Sequence, residues 1–168
     1  MRADTVVRAR ALLPKLGAPH SRRNRLLKGR ILILCDDVFR RLGSLEHRRS
    51  IHTELKELLP SIREHALQRQ IIGNLAFFAI VSYDFENADR YLEQLEAFTD
   101  DNVSRPDTTY YDARAHYHFY KQEFETSREY LKKALLIRKS MNLPPASLAP
   151  HIAVIAKTLT ATGELDAA

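Results

Sequence analysis

The feature that most constrains the fold is a chain break that recurs about every forty residues. In each break a short turn is followed by a large apolar residue, and these apolar residues are 40, 39 and 41 positions apart. The four breaks are Gly43-Ser44-Leu45, Tyr83-Asp84-Phe85, Gln122-Glu123-Phe124 and Gly163-Glu164-Leu165. A fixed period of this length is typical of stacked helical hairpins, because one such hairpin cannot bury its apolar face alone.

Small residues keep the same register as the breaks. One lies nine residues before the apolar residue of three breaks, and these are Ala76, Ala115 and Ala156. In the first repeat this place is taken by Asp36. Early in the second helix the second repeat has Ala88, where the third has Ser127. The repeated unit is therefore predicted to be a hairpin with a small residue upstream of its turn.

The spacing of apolar residues predicts an all-α chain. Only 5 Gly and 7 Pro interrupt 168 residues, and no run has the composition of a strand. Helices are predicted over residues 2–16, 21–42, 45–59, 67–82, 85–98, 110–120, 124–140 and 146–161, with the start of a ninth at 164–168. Ser21 is a predicted cap, as is either Asp107 or Thr108. The helix at 67–82 is apolar nearly all round, so it should be the most buried.

Cysteine use and hydropathy limit the environment of the chain. The single cysteine, Cys35, lies in an apolar run, which predicts a buried structural thiol rather than a nucleophile. The longest apolar run, residues 71–81, is shorter than the roughly 17–25 residues that cross a bilayer. No secretory signal begins the sequence. We therefore expect a cytoplasmic protein without membrane contact.

Positive charge is concentrated in the N-terminal third. Residues 1–50 contain 13 Lys and Arg against 4 Asp and Glu, whereas residues 51–168 contain 13 against 17. Arg22, Arg23 and Arg25 begin a basic run that could hold phosphates. On a helix these side chains spread around the axis, and no aromatic platform is interleaved with them. A solvated helix surface is the preferred interpretation, and a nucleic-acid-associated regulator is the alternative.

The histidines do not form a metal site by spacing. His116 and His118 are two residues apart, and His47 and His52 are five apart, so neither pair shares a helix face. No cysteine or carboxylate cluster completes a zinc set. We predict no metal and no cofactor.

The adjacent acids Asp36 and Asp37 do not indicate acid–base catalysis. Neighbouring helical residues diverge by about 100°, so their carboxylates cannot easily act on one substrate atom. We expect one of them to pack near Arg40 or Arg41 and the other to lie on the surface. The sequence also lacks a glycine-rich phosphate loop and a nucleophile elbow. A protein without enzymatic activity is predicted.

These positions together resemble those of tetratricopeptide-like repeat proteins. The resemblance rests on the small residues Ala76, Ala115 and Ala156, the turns Asp84-Phe85 and Glu123-Phe124, Ala88, Ala134-Leu135 and Pro60. The long period and the segment KALLIRKSMNLPPASLAPHIAVIAKTL are most similar to the extended repeats of bacterial regulators, such as the helical region of MalT-like activators. Asp36, Ser127 and the missing tryptophan depart from the pattern. A generic helical-hairpin solenoid is the alternative.

The resemblance implies a right-handed solenoid of antiparallel hairpins, truncated at both ends. Its single domain would contain a partial hairpin at 1–20, repeats at 21–66, 67–106 and 107–145, and a partial repeat at 146–168. Open repeat faces at the ends would allow a homodimer.

The resemblance also implies a groove along the first helices that binds an extended peptide or a partner helix. The residues placed in it are Asp37, Arg41, Phe77, Asp112, His116, Tyr120 and Lys157. This mixture of aromatic anchors and single charges suits a protein or peptide ligand. The expected role is a scaffold or sensory region in signal transduction or transcriptional regulation. The alternative is that Phe77 and Tyr120 belong to the core.

Overall fold

The structure is a computed structural model that describes residues 21–98 and 108–141, together with Ala11 and Thr160. All regular secondary structure in these residues is helical, which confirms the all-α prediction. The α-helices of the two long described segments are α1 (Arg22–Arg41), α2 (Leu45–Leu58), α3 (His65–Val81), α4 (Phe85–Glu96), α5 (Thr109–Tyr120) and α6 (Phe124–Ser140). The predicted helices at 2–16 and 146–161 and the fourth break lie outside the described residues.

Local sequence accounts for where the helices begin and end. Ser21 caps α1, as predicted, because its side chain accepts a hydrogen bond from the Asn24 backbone N–H at 3.1 Å. Thr108 precedes α5, although its hydroxyl donates to Asp112 instead of capping the backbone. After α2 the chain makes a single 3₁₀ turn, Leu59–Ser61, in which Pro60 prevents the α-helix from continuing.

The described chain divides into two compact units, Met1–Phe78 and Ala79–Ala168, and the boundary falls inside α3. In the first unit, α1, α2 and the 3₁₀ turn meet around a core that includes Leu32, Ile51, Leu55 and Ile62. Gly29 permits the Leu67 side chain to approach the backbone of α1 closely, since a Cβ at this position would lie 3.2 Å from that side chain.

Helix α3 is buried over much of its circumference, as its composition predicts. The consecutive residues Ile71, Ile72 and Gly73 are all buried, and so are Leu75 and Ala76 in the next turn. A helix buried on several faces contributes apolar area in more than one direction, which explains its weak amphipathicity.

The second unit contains the end of α3 together with α4, α5 and α6. Helix α5 packs on both α4 and α6. The largest fully buried side chains of this unit are Ile80, Leu92, Leu95 and Leu131. Small residues, among them Ala113 and Ala115, are also fully buried on α5.

Three turns reverse the chain with one geometry. Gly43, Tyr83 and Gln122 follow α1, α3 and α5 with φ values of +69°, +58° and +64°. The next N–H bonds five residues back in each case, as Ser44 to Phe39, Asp84 to Ala79 and Glu123 to His118 at 2.9–3.0 Å. The left-handed residue itself bonds three residues back. This pair of bonds is the Schellman motif, so the sequence repeat corresponds to a repeated turn.

Candidate functional site

The predicted groove residues of the first unit lie on α1 and α3. Asp37 is half-buried and accepts ion pairs from Arg40 at 2.5 Å and from Arg41 at 3.0 Å. Arg41 is exposed, and Phe77 is half-buried. Asp37 and Phe77 each directly follow a buried residue of their helix, Asp36 and Ala76.

The predicted groove residues of the second unit lie on α5. His116 is half-buried, and its Nδ1–H donates to the Asp112 carbonyl oxygen at 2.8 Å. Tyr120 is half-buried, and its ring meets the Tyr83 ring edge to face with centroids 5.6 Å apart. Asp112 is buried. Lys157 lies outside the described residues.

The Asp112 carboxylate is held by side chains from both ends of its hairpin. Arg138 near the end of α6 donates two hydrogen bonds to it, Nη1 to Oδ1 at 2.9 Å and Nη2 to Oδ2 at 2.5 Å. The Thr108 hydroxyl donates to Oδ2 at 2.8 Å. A bidentate pair of this kind is strong and directional, so it ties α6 to the start of α5. Asp112 therefore has a structural partner in addition to its place in the predicted row.

A second buried carboxylate corrects the prediction for the adjacent acids. Asp37 is the acid that pairs with Arg40 and Arg41, as predicted for one of the two. The other acid, Asp36, was predicted to lie on the surface, and this was wrong, because Asp36 is 1% exposed. Arg48 Nε donates to Asp36 Oδ1 at 2.9 Å, and His52 Nε2 donates to the same oxygen at 2.7 Å. Arg48 and His52 are 6% and 3% exposed. These three side chains are called the polar triad below.

The triad is covered by an aromatic ring. Phe78 stacks on the His52 ring with centroids 4.1 Å apart, and the Arg48 guanidinium carbon lies 5.1 Å from the same ring centroid. Burial by itself would raise the pKa of Asp36, but hydrogen bonds from His52 and Arg48 outweigh it and hold the pKa below its ordinary value. His52 Nδ1 has no hydrogen-bond partner among the described residues. The triad thus keeps an ionised carboxylate inside the first hairpin.

The triad occupies the positions that other repeats fill with small or apolar residues. Asp36, Arg48 and His52 are seven residues before, and five and nine residues after, the left-handed turn residue Gly43. Counted in the same way from Tyr83 and Gln122, the equivalent sets are Ala76, Ala88 and Leu92, and Ala115, Ser127 and Leu131. All of these residues are buried. The repeat register contained the signal for the triad, since three polar residues fall together on three otherwise core positions.

A connected set of aromatic rings surrounds the last two turns. Tyr83 contacts Phe85 and Tyr120 edge to face, at centroid distances of 6.1 and 5.6 Å. Phe85 contacts Tyr117 at 5.6 Å, and the Tyr117 hydroxyl donates to Asp89 at 2.7 Å. Burial and this hydrogen bond raise the pKa of Tyr117. The set lies within the second unit and includes the predicted site residue Tyr120.

The remaining candidate sites are weaker on the geometry. Within residues 21–98 and 108–141, no three His, Cys, Asp or Glu side chains are placed to bind a metal ion together. Helices long and apolar enough to cross a bilayer do not occur there either. Cys35 is buried, as predicted. In the basic run, Lys28 pairs with Glu54 at 3.1 Å and Arg30 with Glu64 at 2.9 Å.

Comparison with known proteins does not assign the chain to a family. No protein-family model matches it, and no curated protein or solved structure is significantly similar to it.

Proposed function

We propose that this protein is a non-catalytic binding module that recognises a protein or peptide through the first helices of its hairpins. The observation that carries the proposal is the turn geometry shared by Gly43, Tyr83 and Gln122. Turns repeated in register favour an array of tetratricopeptide-like hairpins, and arrays of this kind present long surfaces to partners. The right-handed solenoid expected from the sequence is part of this proposal.

The placement of the predicted row supports the same function. Asp37, Phe77 and His116 each follow the buried residue that precedes a turn by the same interval, and each is half-buried. A half-buried side chain is held in place by its neighbours and still offers part of its surface to a ligand. We assign the ligand to the protein or peptide class, and the module to a cytoplasmic regulatory system.

The buried ionisable groups support binding over catalysis. Asp36 and Asp112 are both engaged by an arginine, at 2.9 Å from Arg48 and 2.9 Å from Arg138. The carboxylate of Asp36, whose pKa is held below its ordinary value, is poorly suited to exchange protons with a substrate near neutral pH. These groups are better explained as parts of the scaffold.

The proposal is tested by selecting twelve-residue peptides from a random displayed library on the purified chain. We expect peptides with micromolar affinity whose binding falls at least fivefold in the separate variants Phe77→Ala and His116→Ala. Leu136→Ala is the control, because it removes an exposed apolar side chain from a second helix. Selected peptides that bind all three variants equally would refute the assignment of the first helices, as would a library that yields none.

The alternative function, binding of nucleic acid by the basic N-terminal third, rests on Arg22 and Arg23, which are exposed at the start of α1. Its test is a duplex titration at about 50 and 200 mM salt, since phosphate contacts weaken steeply over that range. Absence of a complex at the lower salt concentration would exclude it. Pairing of two copies through terminal repeat faces stays a prediction, and sedimentation velocity at several concentrations tests it.

A further inference from the structure

Tyr83 combines a costly backbone conformation with a large exposed aromatic side chain. Its φ of +58° is a left-handed conformation that favours glycine, and the equivalent position of the first turn is indeed Gly43. Its side chain is also 66% exposed, so burial does not offset the backbone strain. Strained backbone positions cluster at functional sites. Tyr83 and Gln122 are the non-glycine residues of the described chain with a positive φ, and of these Tyr83 presents an exposed aromatic ring.

The Tyr83 ring belongs to a preorganised aromatic surface. Tyr120 and Phe85 contact it edge to face, and with 66% of the Tyr83 side chain exposed, part of its ring surface is open to a ligand. The aromatic set already holds one cation, since the Lys121 ammonium nitrogen lies 5.1 Å from the Tyr117 ring centroid. A second cation on the exposed ring would use the same interaction.

The charges around this surface favour a cationic partner. Residues 83–90 and 117–124 contain four acids and two bases, a net charge of −2, whereas the whole chain is +5. Glu86 pairs with Arg90, and Glu123 with Lys121. Asp84 and Asp89 accept hydrogen bonds only from neutral donors, Asn87 and Tyr117, within the described residues. Two carboxylates near the aromatic set thus lack a paired cation there.

We propose that the Tyr83–Tyr120 surface binds an arginine side chain of an extended peptide. A guanidinium stacks flat on an aromatic ring and at the same time donates hydrogen bonds to a carboxylate. Asp84, which is adjacent to Tyr83 in the chain, would supply that carboxylate. Lysine, as a compact and strongly hydrated point charge, gains less from the ring. The inference rests on the proposed function, because it names the partner chemistry for a site that includes Tyr120.

The experiment uses fluorescence anisotropy with a labelled Gly-Ser peptide that contains three arginines. The comparison peptide replaces each arginine by citrulline, which has the same shape without the charge. We expect micromolar binding of the arginine peptide and at least tenfold weaker binding of the citrulline peptide. A lysine peptide should bind between the two.

Tyr83→Gly separates binding from folding. It removes the ring and also relieves the left-handed strain, which offsets the lost ring contacts, so the arginine peptide should bind at least tenfold more weakly while the melting temperature stays within a few degrees of the wild type. Gln122→Gly is the matched control, since it relieves the same strain at φ +64° without removing a ring. It should raise the melting temperature by a few degrees, because no ring contact is lost, and leave the affinity within twofold.

Three results would overturn the inference: equal binding of the arginine and citrulline peptides, no binding of either, or unchanged affinity in Tyr83→Gly. The outcome is distinguishable from that of the proposed function. A selected peptide that is weakened by His116→Ala but not by Tyr83→Gly would overturn this inference alone. Arginine binding that depends on Tyr83 but is unaffected by Phe77→Ala and His116→Ala would support it and refute the wider groove.

Discussion

The hairpin α1–α2 and the hairpin α5–α6 have turns of the same type, but different side-chain contacts join their helices. In the first, Arg48 reaches back to Asp36 with an ionic hydrogen bond of 2.9 Å. In the second, at the equivalent positions, the Ser127 hydroxyl donates to the Ala115 carbonyl oxygen at 2.8 Å. In each pair the two residues are twelve positions apart in the sequence, and all four residues are buried. The turn therefore sets which residues meet, while their chemistry varies as long as buried polar atoms find partners.

The difference has a physical consequence for how each hairpin tolerates change. Where small residues pack at a helix crossing, replacing one of them with another small residue should cost little stability. A buried ion pair behaves as a unit, because removal of one partner leaves the other charge desolvated and unpaired. The first hairpin should thus be more sensitive to substitution than the second.

The largest effect is expected for Asp36→Ala. This change leaves Arg48 buried without its counterion, so the free energy of unfolding should fall by about 3–5 kcal/mol. Urea denaturation followed by circular dichroism measures it. Asp37→Ala is the control, since it removes only surface pairs that are worth about 0–1 kcal/mol. Similar losses in the two variants would contradict the structural role of the triad.

A triple variant tests whether the loss in Asp36→Ala comes from the unpaired charge. Asp36→Ala, Arg48→Met and His52→Leu together replace the triad with apolar side chains, and methionine keeps most of the length of Arg48. Such replacements of buried ion pairs are often neutral or stabilising. We expect the triple variant to recover most of the stability lost by Asp36→Ala alone. A triple variant that is no more stable than the single variant would show that the polar network itself is needed.

Acid should remove part of the same energy. The pKa of Asp36 is held below its ordinary value in the folded protein, so its stabilising contribution is present above the unfolded pKa of about 3.9. That contribution is lost as the pH falls through the folded pKa. Urea midpoints between pH 7 and pH 3 should decline more for the wild type than for the triple variant. Parallel pH profiles would argue against an ionised Asp36 in the core.

A smaller effect is expected at the shared turn. Gly43→Ala places a Cβ in the left-handed conformation at φ +69°, where no neighbour lies within 4 Å of it, so the cost of about 1 kcal/mol is conformational. Thermal unfolding monitored by calorimetry measures the loss. Ser82→Ala is the control, because it changes an exposed residue beside an equivalent turn and should leave the melting temperature nearly unchanged. Gly73→Ala would not serve, because Gly73 is buried. An unchanged melting temperature for Gly43→Ala would mean that the turn does not require glycine.

The smallest effect is expected for Ser127→Ala. It makes the third repeat match Ala88 of the second and loses one hydrogen bond to a carbonyl oxygen, so the unfolding free energy should change by less than about 1.5 kcal/mol. Urea denaturation under the conditions used for Asp36→Ala allows direct comparison. A loss as large as that of Asp36→Ala would remove the distinction between the two hairpins.

Much of the described fold could be predicted because its determinants are local. Ser21 caps α1 by bonding a residue three positions on, and Pro60 lies where α2 gives way to a 3₁₀ turn. The breaks at Gly43, Tyr83 and Gln122 were predicted from spacing, and each is a left-handed turn. Such features depend on a few neighbouring residues, so a sequence window contains them.

The candidate site was only partly predictable. The register placed Tyr120 and His116 on one helix, but nothing in the pattern indicated that Tyr83 is strained, exposed and in contact with Tyr120. That contact joins residues 37 positions apart, and it exists only because two helix ends lie together within the second unit. Sequence periodicity states which positions are equivalent, whereas exposure depends on what covers each of them.

By itself, the sequence determined the helical structure of the described residues, the forty-residue spacing and the positions of the three described turns, since these depend on short-range backbone preferences and on the spacing of apolar residues. Only the tertiary structure decided that Asp36 is buried with Arg48 and His52 while Asp37 remains near the surface. Adjacent helical residues point about 100° apart, so one faces the next helix and the other does not. Which of the two acids turns inward depends on the helix crossing, and the crossing is a property of the packed hairpin.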